Sequence, residues 1–262
     1  MSPKGAQDPH DARAPEASPL GQLPAIEIAG VADFLRARVR RGQVHIVGVT
    51  GSVASGKSTL CAALVETLSR SHSVETISTD GFLLSNATLA EKGLSHRKGF
   101  PESYDIDALL QALGKVRTEP TRFPAYSHST YDVDPALSRD VQTPDILLVE
   151  GLALAPHADG RNPVTALDTL IYLDAREDDL ELWFVERFLG LWRAAEADAS
   201  SFYVRFRHLD EAGAHAFARS VWQQINLPNL RDHIVHAQPH AHLVLHKSTG
   251  HQLRLARSAP AP

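Results

Sequence analysis

The eight residues from Gly51 to Ser58 have the types and spacing of a phosphate-binding loop. Glycines let the backbone turn so that successive N–H groups converge on the β-phosphate, the lysine reaches the β- and γ-phosphates, and the final hydroxyl faces a magnesium ion. The run therefore predicts binding of a nucleoside triphosphate. The predicted contact residues are Gly51, Ser52, Val53, Ala54, Ser55, Gly56, Lys57, Ser58 and Thr59.

Two acidic residues, Asp80 and Glu150, each end an apolar run and each precede a glycine. Glu150 has the place of the second acidic motif of such proteins and is expected to support the magnesium ion with Ser58, through a water. Asp80 is placed to accept a proton from a substrate hydroxyl as its oxygen attacks the γ-phosphate. The alternatives are a carboxylate that caps a turn at Glu150 and an ordinary Asp-Gly turn at Asp80.

The elements that must position these residues are predicted from apolar runs. The runs are mostly uninterrupted, which is typical of strands buried on both faces, and helical patterns alternate with them. This alternation predicts an α/β fold with a mostly parallel sheet, helices on both faces and a ligand crevice at the carboxyl ends of the strands. The strands are predicted at 44–49, 74–79, 146–150, 170–174 and 242–247, with helices over 31–39 and 58–69.

The chain has 262 residues, of which 43% are hydrophobic, so one domain is expected. We expect a disordered leader over residues 1–25, because this segment is poor in large apolar side chains. A single domain with the P-loop is expected over 26–256, and a frayed tail over 257–262.

A net charge of -5 gives no reason to expect nucleic acid or an anionic membrane as a partner. Cys61 is the only cysteine, which excludes a disulfide within the chain. No apolar stretch has the length of a membrane span and none resembles a secretory signal, so we expect a cytoplasmic protein.

Several longer segments resemble bacterial type I pantothenate kinase, of the phosphoribulokinase/uridine kinase-like superfamily. They follow one another in the family's order, and the resemblance covers about residues 44–252. It implies a P-loop kinase fold with a helical lid region, ATP and Mg²⁺ as cofactors, a homodimer, and phosphorylation of the primary hydroxyl of pantothenate in coenzyme A biosynthesis. The segments include Ser78-Thr-Asp-Gly-Phe82, Arg97-Lys-Gly-Phe-Pro-Glu-Ser-Tyr-Asp105, Tyr126-Ser-His128 and Val185-Glu-Arg-Phe-Leu189.

The same resemblance implies roles for single residues. Asp80 would be the base for the pantothenate hydroxyl, and Arg187 and Lys57 would stabilise the transferring phosphoryl group. Lys247 and His251 would lie near the adenine. Residues expected at the pantothenate end are Tyr126, His128, Asn226, Phe184 and Tyr203. From the residues alone, several of these are equally ordinary loop, cap or core residues.

Two positions depart from the family. Phe184 stands where the family usually has a tyrosine that hydrogen-bonds pantothenate, and Ala62 stands where the family tends to have an arginine that helps to bind coenzyme A. The second change predicts weak feedback inhibition by coenzyme A.

Two alternatives remain open at this point. One is a related P-loop kinase that acts on a nucleoside, a sugar or another small alcohol, which the change at Phe184 leaves possible. The other is a nucleotide-binding regulator without turnover. Asp80, Glu150 and Arg187 argue against a regulator, because a protein that only binds nucleotide needs no base.

Overall fold

A six-stranded sheet forms the centre of the computed structural model, which describes residues 22–260. Four of its five strand pairings are parallel, and the pairing at one edge is antiparallel. From that edge, the strands follow in the order β10 (Leu253–Ser258), β9 (Leu243–Lys247), β8 (Thr169–Asp174), β1 (His45–Gly51), β7 (Ile146–Glu150) and β2 (Val74–Ser78). Two short antiparallel pairs lie outside it: β3 (Thr121–Phe123) with β6 (Arg139–Val141), and between these two strands in the chain β4 (Tyr126–Ser127) with β5 (Asp132–Val133).

Alternate residues of β7 show why this sheet carries helices on both faces. Ile146 and Leu148 are fully buried in one apolar cluster, which also contains Leu64. Leu147 and Val149 are buried in another, which also contains Leu109. Successive strand side chains point to opposite faces, so both faces of β7 are apolar and covered. The helices are α1 (Ile28–Arg36), α2 (Lys57–Leu68), α3 (Asn86–Glu91), α4 (Ile106–Lys115), α5 (Glu177–Ala194), α6 (Glu211–Val221) and α7 (Leu227–Asp232).

Helices α5 and α6 form a helical region with an apolar cluster of its own. Phe188 and Trp192 of α5 pack with Ala214 and Ala218 of α6, and all four are buried. Because this cluster is separate from the sheet's two faces, α5 extends beyond the sheet beside the ends of the strands.

The predicted α/β fold with a mostly parallel sheet is confirmed, and each of the five predicted strands is present. The antiparallel strand β10 was not predicted from the sequence. It continues to Ser258, which pairs with Leu243, and Ala25 forms a bridge with Arg254. Ordered pairing therefore extends past both expected ends of the domain, into the segments assigned to the leader and the tail. Most of the predicted leader, residues 1–21, and the last two residues of the predicted tail lie outside the described residues.

The register of the sheet brings the ends of three strands together. Glu150, the last residue of β7, is the partner of Val49 in β1 on one side and of Ser78 in β2 on the other. Asp80 follows two residues later, in a 3₁₀ turn over Thr79–Phe82. The loop after β1 and both predicted carboxylates therefore lie at the same edge of the sheet. No helix within residues 22–260 has the length and apolarity needed to cross a membrane.

Candidate active site

A cleft of about 870 Å³ opens at this edge of the sheet. It is lined by residues from the phosphate-binding loop, from the ends of β2 and β7, from the hairpin that begins at Tyr126, from α5 and from the end of β9. The predicted site residues that line it are Val53, Ala54, Gly56, Lys57, Ser58, Thr59, Asp80, Tyr126, His128, Glu150, Arg187, Lys247 and His251. Most of the sequence-predicted site is therefore brought into one space.

The loop itself depends on Gly51 and Gly56. Gly51 has φ 145°, and a Cβ there would lie 2.2 Å from the carbonyl oxygen of Leu173. Gly56 has φ 99° and is the N-cap of α2, where no side chain caps the helix. The first N–H groups of α2 are thus left to bind an anion, which the positive end of the helix dipole also favours.

Lys57, the first residue of α2, is buried beneath the loop. Its Nζ donates hydrogen bonds to the carbonyl oxygens of Gly51 at 3.1 Å and of Ser52 at 2.8 Å. Burial lowers the pKa of Lys57, while the charges of Glu150 and Asp80 act in the opposite direction. The ammonium group is therefore held at the loop by carbonyl oxygens and faces the two carboxylates.

Ser58 and Glu150 meet across the cleft floor. The Ser58 Oγ donates a hydrogen bond of 3.0 Å to Glu150 Oε1. A hydroxyl oxygen and a carboxylate oxygen are ligands of the hard kind that Mg²⁺ prefers, and they lie next to the uncapped start of α2. The two residues present at this position fit a magnesium ion bound with a nucleotide.

Asp80 is partly buried and lines the cleft. Its backbone N–H donates to Ser78 Oγ, which caps the 3₁₀ turn, and its Oδ1 accepts a hydrogen bond from the hydroxyl of Tyr104. The turn packs tightly, because a Cβ on Gly81 would lie 2.3 Å from the carbonyl oxygen of Pro124. The carboxylate is therefore held on a rigid support rather than on an open loop.

Lys247 and His251 meet an aromatic residue that sequence reasoning did not assign to the site, Trp183. Lys247 Nζ lies 4.1 Å from the centre of the Trp183 ring and donates a 3.0 Å hydrogen bond to the carbonyl oxygen of Ser55. The His251 ring lies 4.9 Å from that of Trp183. This group joins the end of β9 to the phosphate-binding loop. The density of aromatic residues around 183–206 was its only signal in the sequence.

Tyr126 and His128 also line the cleft and lie together, with their ring centres 5.2 Å apart. Lys98 and Tyr131 were not assigned a role from the sequence and join them here. Lys98 Nζ lies 4.9 Å from the Tyr126 ring centre and 4.7 Å from that of Tyr131. Their signal was their place in the segments that carry the family resemblance. Lys98 and Tyr131 do not line the cleft themselves, so they place an ammonium group and a second phenol next to Tyr126.

Arg187 projects from α5 into the same cleft and is exposed. Its positive charge acts to lower the pKa of Lys57 and of Tyr131. Two cations, Lys57 and Arg187, thus line one cleft, as a site for a highly charged phosphate group requires.

Three predicted substrate contacts, Phe184, Tyr203 and Asn226, are outside the residues that line the cleft. Phe184 packs between two apolar clusters, with its ring 6.0 Å from that of Trp222. Tyr203 packs edge-on against Phe188 at 5.5 Å. Asn226 ends a π-helical turn over Trp222–Asn226. Phe184 and Arg187 are three positions apart on α5 and lie on the same side of that helix. The roles of Phe184, Tyr203 and Asn226 in substrate binding stay predictions.

The sequence of this chain is similar to the sequences of known proteins. Residues 46–187 match PRK, the Phosphoribulokinase / Uridine kinase family. The pantothenate kinase of Streptococcus pneumoniae strain P1031 is 41% identical over 222 residues, which cover 82% of this chain and 72% of that protein. The pantothenate kinase of Streptococcus pyogenes serotype M18 is 41% identical over 214 residues, which cover 79% and 70%.

The fold also recurs among solved structures. D-glycerate 3-kinase from Cryptococcus neoformans superposes with a TM-score of 0.60 at 14% identity, over 86% of this chain and 97% of that one. At this identity the similarity concerns the fold alone.

Proposed function

The chain belongs to the pantothenate kinases of the phosphoribulokinase/uridine kinase family, and we propose that it transfers the γ-phosphoryl group of ATP to the primary hydroxyl of pantothenate. This reaction is the first step of coenzyme A biosynthesis in the family. The observation that carries the proposal is the placement of Asp80, which shares one cleft with the phosphate-binding loop and with the Tyr126–His128 pair. A base, a phosphate cradle and a polar substrate wall are the parts that phosphoryl transfer to an alcohol requires.

The phosphates of ATP are held by the N–H groups at the start of α2 and by Lys57, whose buried ammonium group reaches the β- and γ-oxygens. Ser58 and Glu150 are the residues that would hold magnesium, and that ion would neutralise charge on the β- and γ-phosphates. Lys247, His251 and Trp183 are proposed to contact the nucleoside, since they form a polar and aromatic group beside the loop.

Asp80 accepts the proton of the primary hydroxyl. The hydroxyl oxygen forms a bond to the γ-phosphorus while the bond from that phosphorus to the β–γ bridging oxygen breaks, and ADP leaves. Arg187 and Lys57 stabilise the oxygens of the phosphoryl group during transfer, because both cations face this part of the cleft. A loose transition state asks the protein mainly for positioning and charge, which these residues supply.

Pantothenate offers a carboxylate, an amide and hydroxyl groups, and the Tyr126–His128 wall offers groups of complementary type. Asn226, Tyr203 and Phe184 are kept as proposed contacts at the far end of the substrate. Phe184 cannot supply the hydrogen bond of a tyrosine, and such a bond is typically worth about 0.5–1.5 kcal/mol. We therefore propose that pantothenate binds less tightly than it would with a tyrosine at position 184.

Three further properties are proposed from the family. Coenzyme A inhibits weakly, because Ala62 is exposed on α2 and carries no charge for its phosphates. The protein acts as a homodimer, and it acts in the cytoplasm, where ATP is at hand.

The direct test is ADP release by the purified protein with magnesium and ATP, across pantothenate, pantetheine, uridine, ribulose 5-phosphate, fructose and glycerate. The proposal predicts rapid turnover with pantothenate and little with the sugars and with uridine. Preferred turnover of another alcohol would overturn the substrate and keep the phosphoryl-transfer chemistry. Binding of ATP with no turnover of any alcohol would support a nucleotide-binding regulator instead.

A further inference from the structure

We propose that Tyr104 is a positioning residue for the base, which holds Asp80 Oδ1 by a hydrogen bond so that Oδ2 is presented to the substrate hydroxyl. The Tyr104 hydroxyl lies 3.3 Å from Asp80 Oδ1. The proposal rests on the function proposed above, and it goes beyond it because Tyr104 does not line the cleft. It would act behind the base, through Asp80.

The backbone fixes where this hydroxyl can lie. Leu83 and Tyr104 form an antiparallel bridge. On either side of the bridge, the N–H of Leu84 donates to the carbonyl oxygen of Ser103 at 2.8 Å, and the N–H of Asp105 donates to that of Phe82 at 2.8 Å. The segment that carries Tyr104 is thus tied to the segment that directly follows Asp80. The distance between the phenol and the carboxylate is set by main-chain pairing rather than by two flexible side chains.

Burial keeps the phenol in place and in its donor form. Tyr104 is 4% exposed and packs in the apolar cluster that contains Phe82 and Ile106. Burial, together with the negative charge of Asp80, raises the pKa of Tyr104 well above its usual range. The hydroxyl therefore keeps its proton at every pH at which the enzyme is expected to work, and it remains able to donate its hydrogen bond to Asp80 Oδ1.

Other side chains interact with the charge of Asp80 without donating a hydrogen bond to it. The ammonium groups of Lys57 and Lys98 and the phenols of Tyr126 and Tyr131 all interact with the charge of Asp80. Within residues 22–260, the hydroxyl of Tyr104 is the side-chain group that donates a hydrogen bond to this carboxylate. These neighbours set the electrostatic field, while Tyr104 sets the direction of the carboxylate.

The direction matters because the last torsion of an aspartate is broad and nearly two-fold. A free carboxylate samples orientations in which neither oxygen points at the hydroxyl to be deprotonated. Holding one oxygen removes those orientations before the substrate binds, and misplacement by about 1 Å can cost on the order of 100-fold in rate.

The test is the variant Tyr104→Phe, which removes one oxygen and leaves the packing ring in place. We expect kcat to fall about tenfold, with the KM for ATP unchanged, because an interaction with a charged group is lost at the base and not at the nucleotide. The matched control is Tyr172→Phe, which removes an equally buried phenol from β8.

The outcomes separate the positioning role from the proposed function. Wild-type turnover on the alcohol panel tests the function alone, and the ratio of variant to wild type is measured on whichever alcohol turns over. An unchanged kcat in Tyr104→Phe, or a fall in kcat matched by an equal change in the KM for ATP, would overturn the positioning role, even where pantothenate is the substrate. An equal loss in Tyr172→Phe, or a fall in the melting temperature that accounts for the lost activity, would overturn it as well.

Discussion

Ser58 Oγ donates a 3.0 Å hydrogen bond to Glu150 Oε1, although the two residues are 92 positions apart in the chain. The contact joins the first turn of α2 to the last residue of β7. It exists because β1 and β7 are neighbours in register, so the loop after β1 starts beside the carboxyl end of β7. The magnesium position proposed here depends on this pair.

Replacement of Glu150 should weaken metal binding. Glu150→Gln keeps the shape of the side chain and removes the charge, so the magnesium concentration for half-maximal turnover should rise about 10- to 100-fold. A magnesium titration at saturating ATP measures it. Glu196→Gln is the control, because Glu196 is exposed and pairs with Arg207 away from the cleft. An unchanged magnesium requirement in Glu150→Gln would exclude a role for this carboxylate at the metal.

Gly151 should not tolerate a side chain. A Cβ there would lie 1.7 Å from Thr79 Oγ1, a fully buried atom of the turn before Asp80. Gly151→Ala should therefore lose about 2–5 kcal/mol of unfolding free energy, from overpacking added to backbone strain. Gly160→Ala is the matched control, since Gly160 also has positive φ but meets nothing within 4 Å, and it should lose about 1–2 kcal/mol. Urea denaturation measures the free energy of unfolding of both variants. Equal losses of this free energy in the two variants would contradict the predicted clash at Gly151.

Coenzyme A should inhibit weakly, and Ala62→Arg should increase the inhibition. Position 62 is exposed on α2, one turn after the phosphate-binding loop, so an arginine there adds a charge near bound phosphates. Inhibition curves with coenzyme A measure the change. The control is Ala37→Arg, which adds the same charge at the exposed end of α1. Strong inhibition of the unmodified chain would refute the prediction.

Cys61 should be unreactive in the folded protein. It is buried in α2, and burial together with the charge of Glu150 raises the pKa of its thiol to about 12. The raised value means that the thiol stays protonated at pH 8, and the thiolate is the reactive form. A thiol assay at pH 8 should therefore detect almost no thiol in native protein and one per chain in denaturant. Because the pKa of this thiol is higher in the folded state than in the unfolded state, the free energy of unfolding should fall as the pH rises above about 8.5, where the unfolded thiol ionises. Rapid labelling of native protein would contradict the burial of Cys61.

The sheet, the phosphate-binding loop and both strand-end carboxylates could be predicted from the sequence, because each is encoded within a short segment. Uninterrupted apolar runs mark buried strands, and the glycine spacing marks the loop. Topology then places Asp80 and Glu150 at one edge without further information.

Contacts between distant segments could not be predicted in this way. Tyr104 lies beside Asp80 because two irregular segments form a bridge at Leu83 and Tyr104, and such a bridge leaves no periodic pattern in the sequence. The antiparallel β10 follows a short turn after β9 and is only partly buried, so its pattern is weak. The position of Phe184 outside the cleft depends on how α5 rotates against Trp222, which packing decides rather than local sequence.

Pantothenate-dependent ADP release by the wild type and by Asp80→Asn, measured at saturating magnesium and ATP, tests the central claim most directly. The exposed Asp140→Asn serves as the matched control. We predict turnover of pantothenate by the wild type and by Asp140→Asn, and a loss of about 10²- to 10⁴-fold in kcat for Asp80→Asn with ATP binding retained. Turnover by Asp80→Asn at the wild-type rate, or no phosphorylation of pantothenate by the wild type, would contradict it.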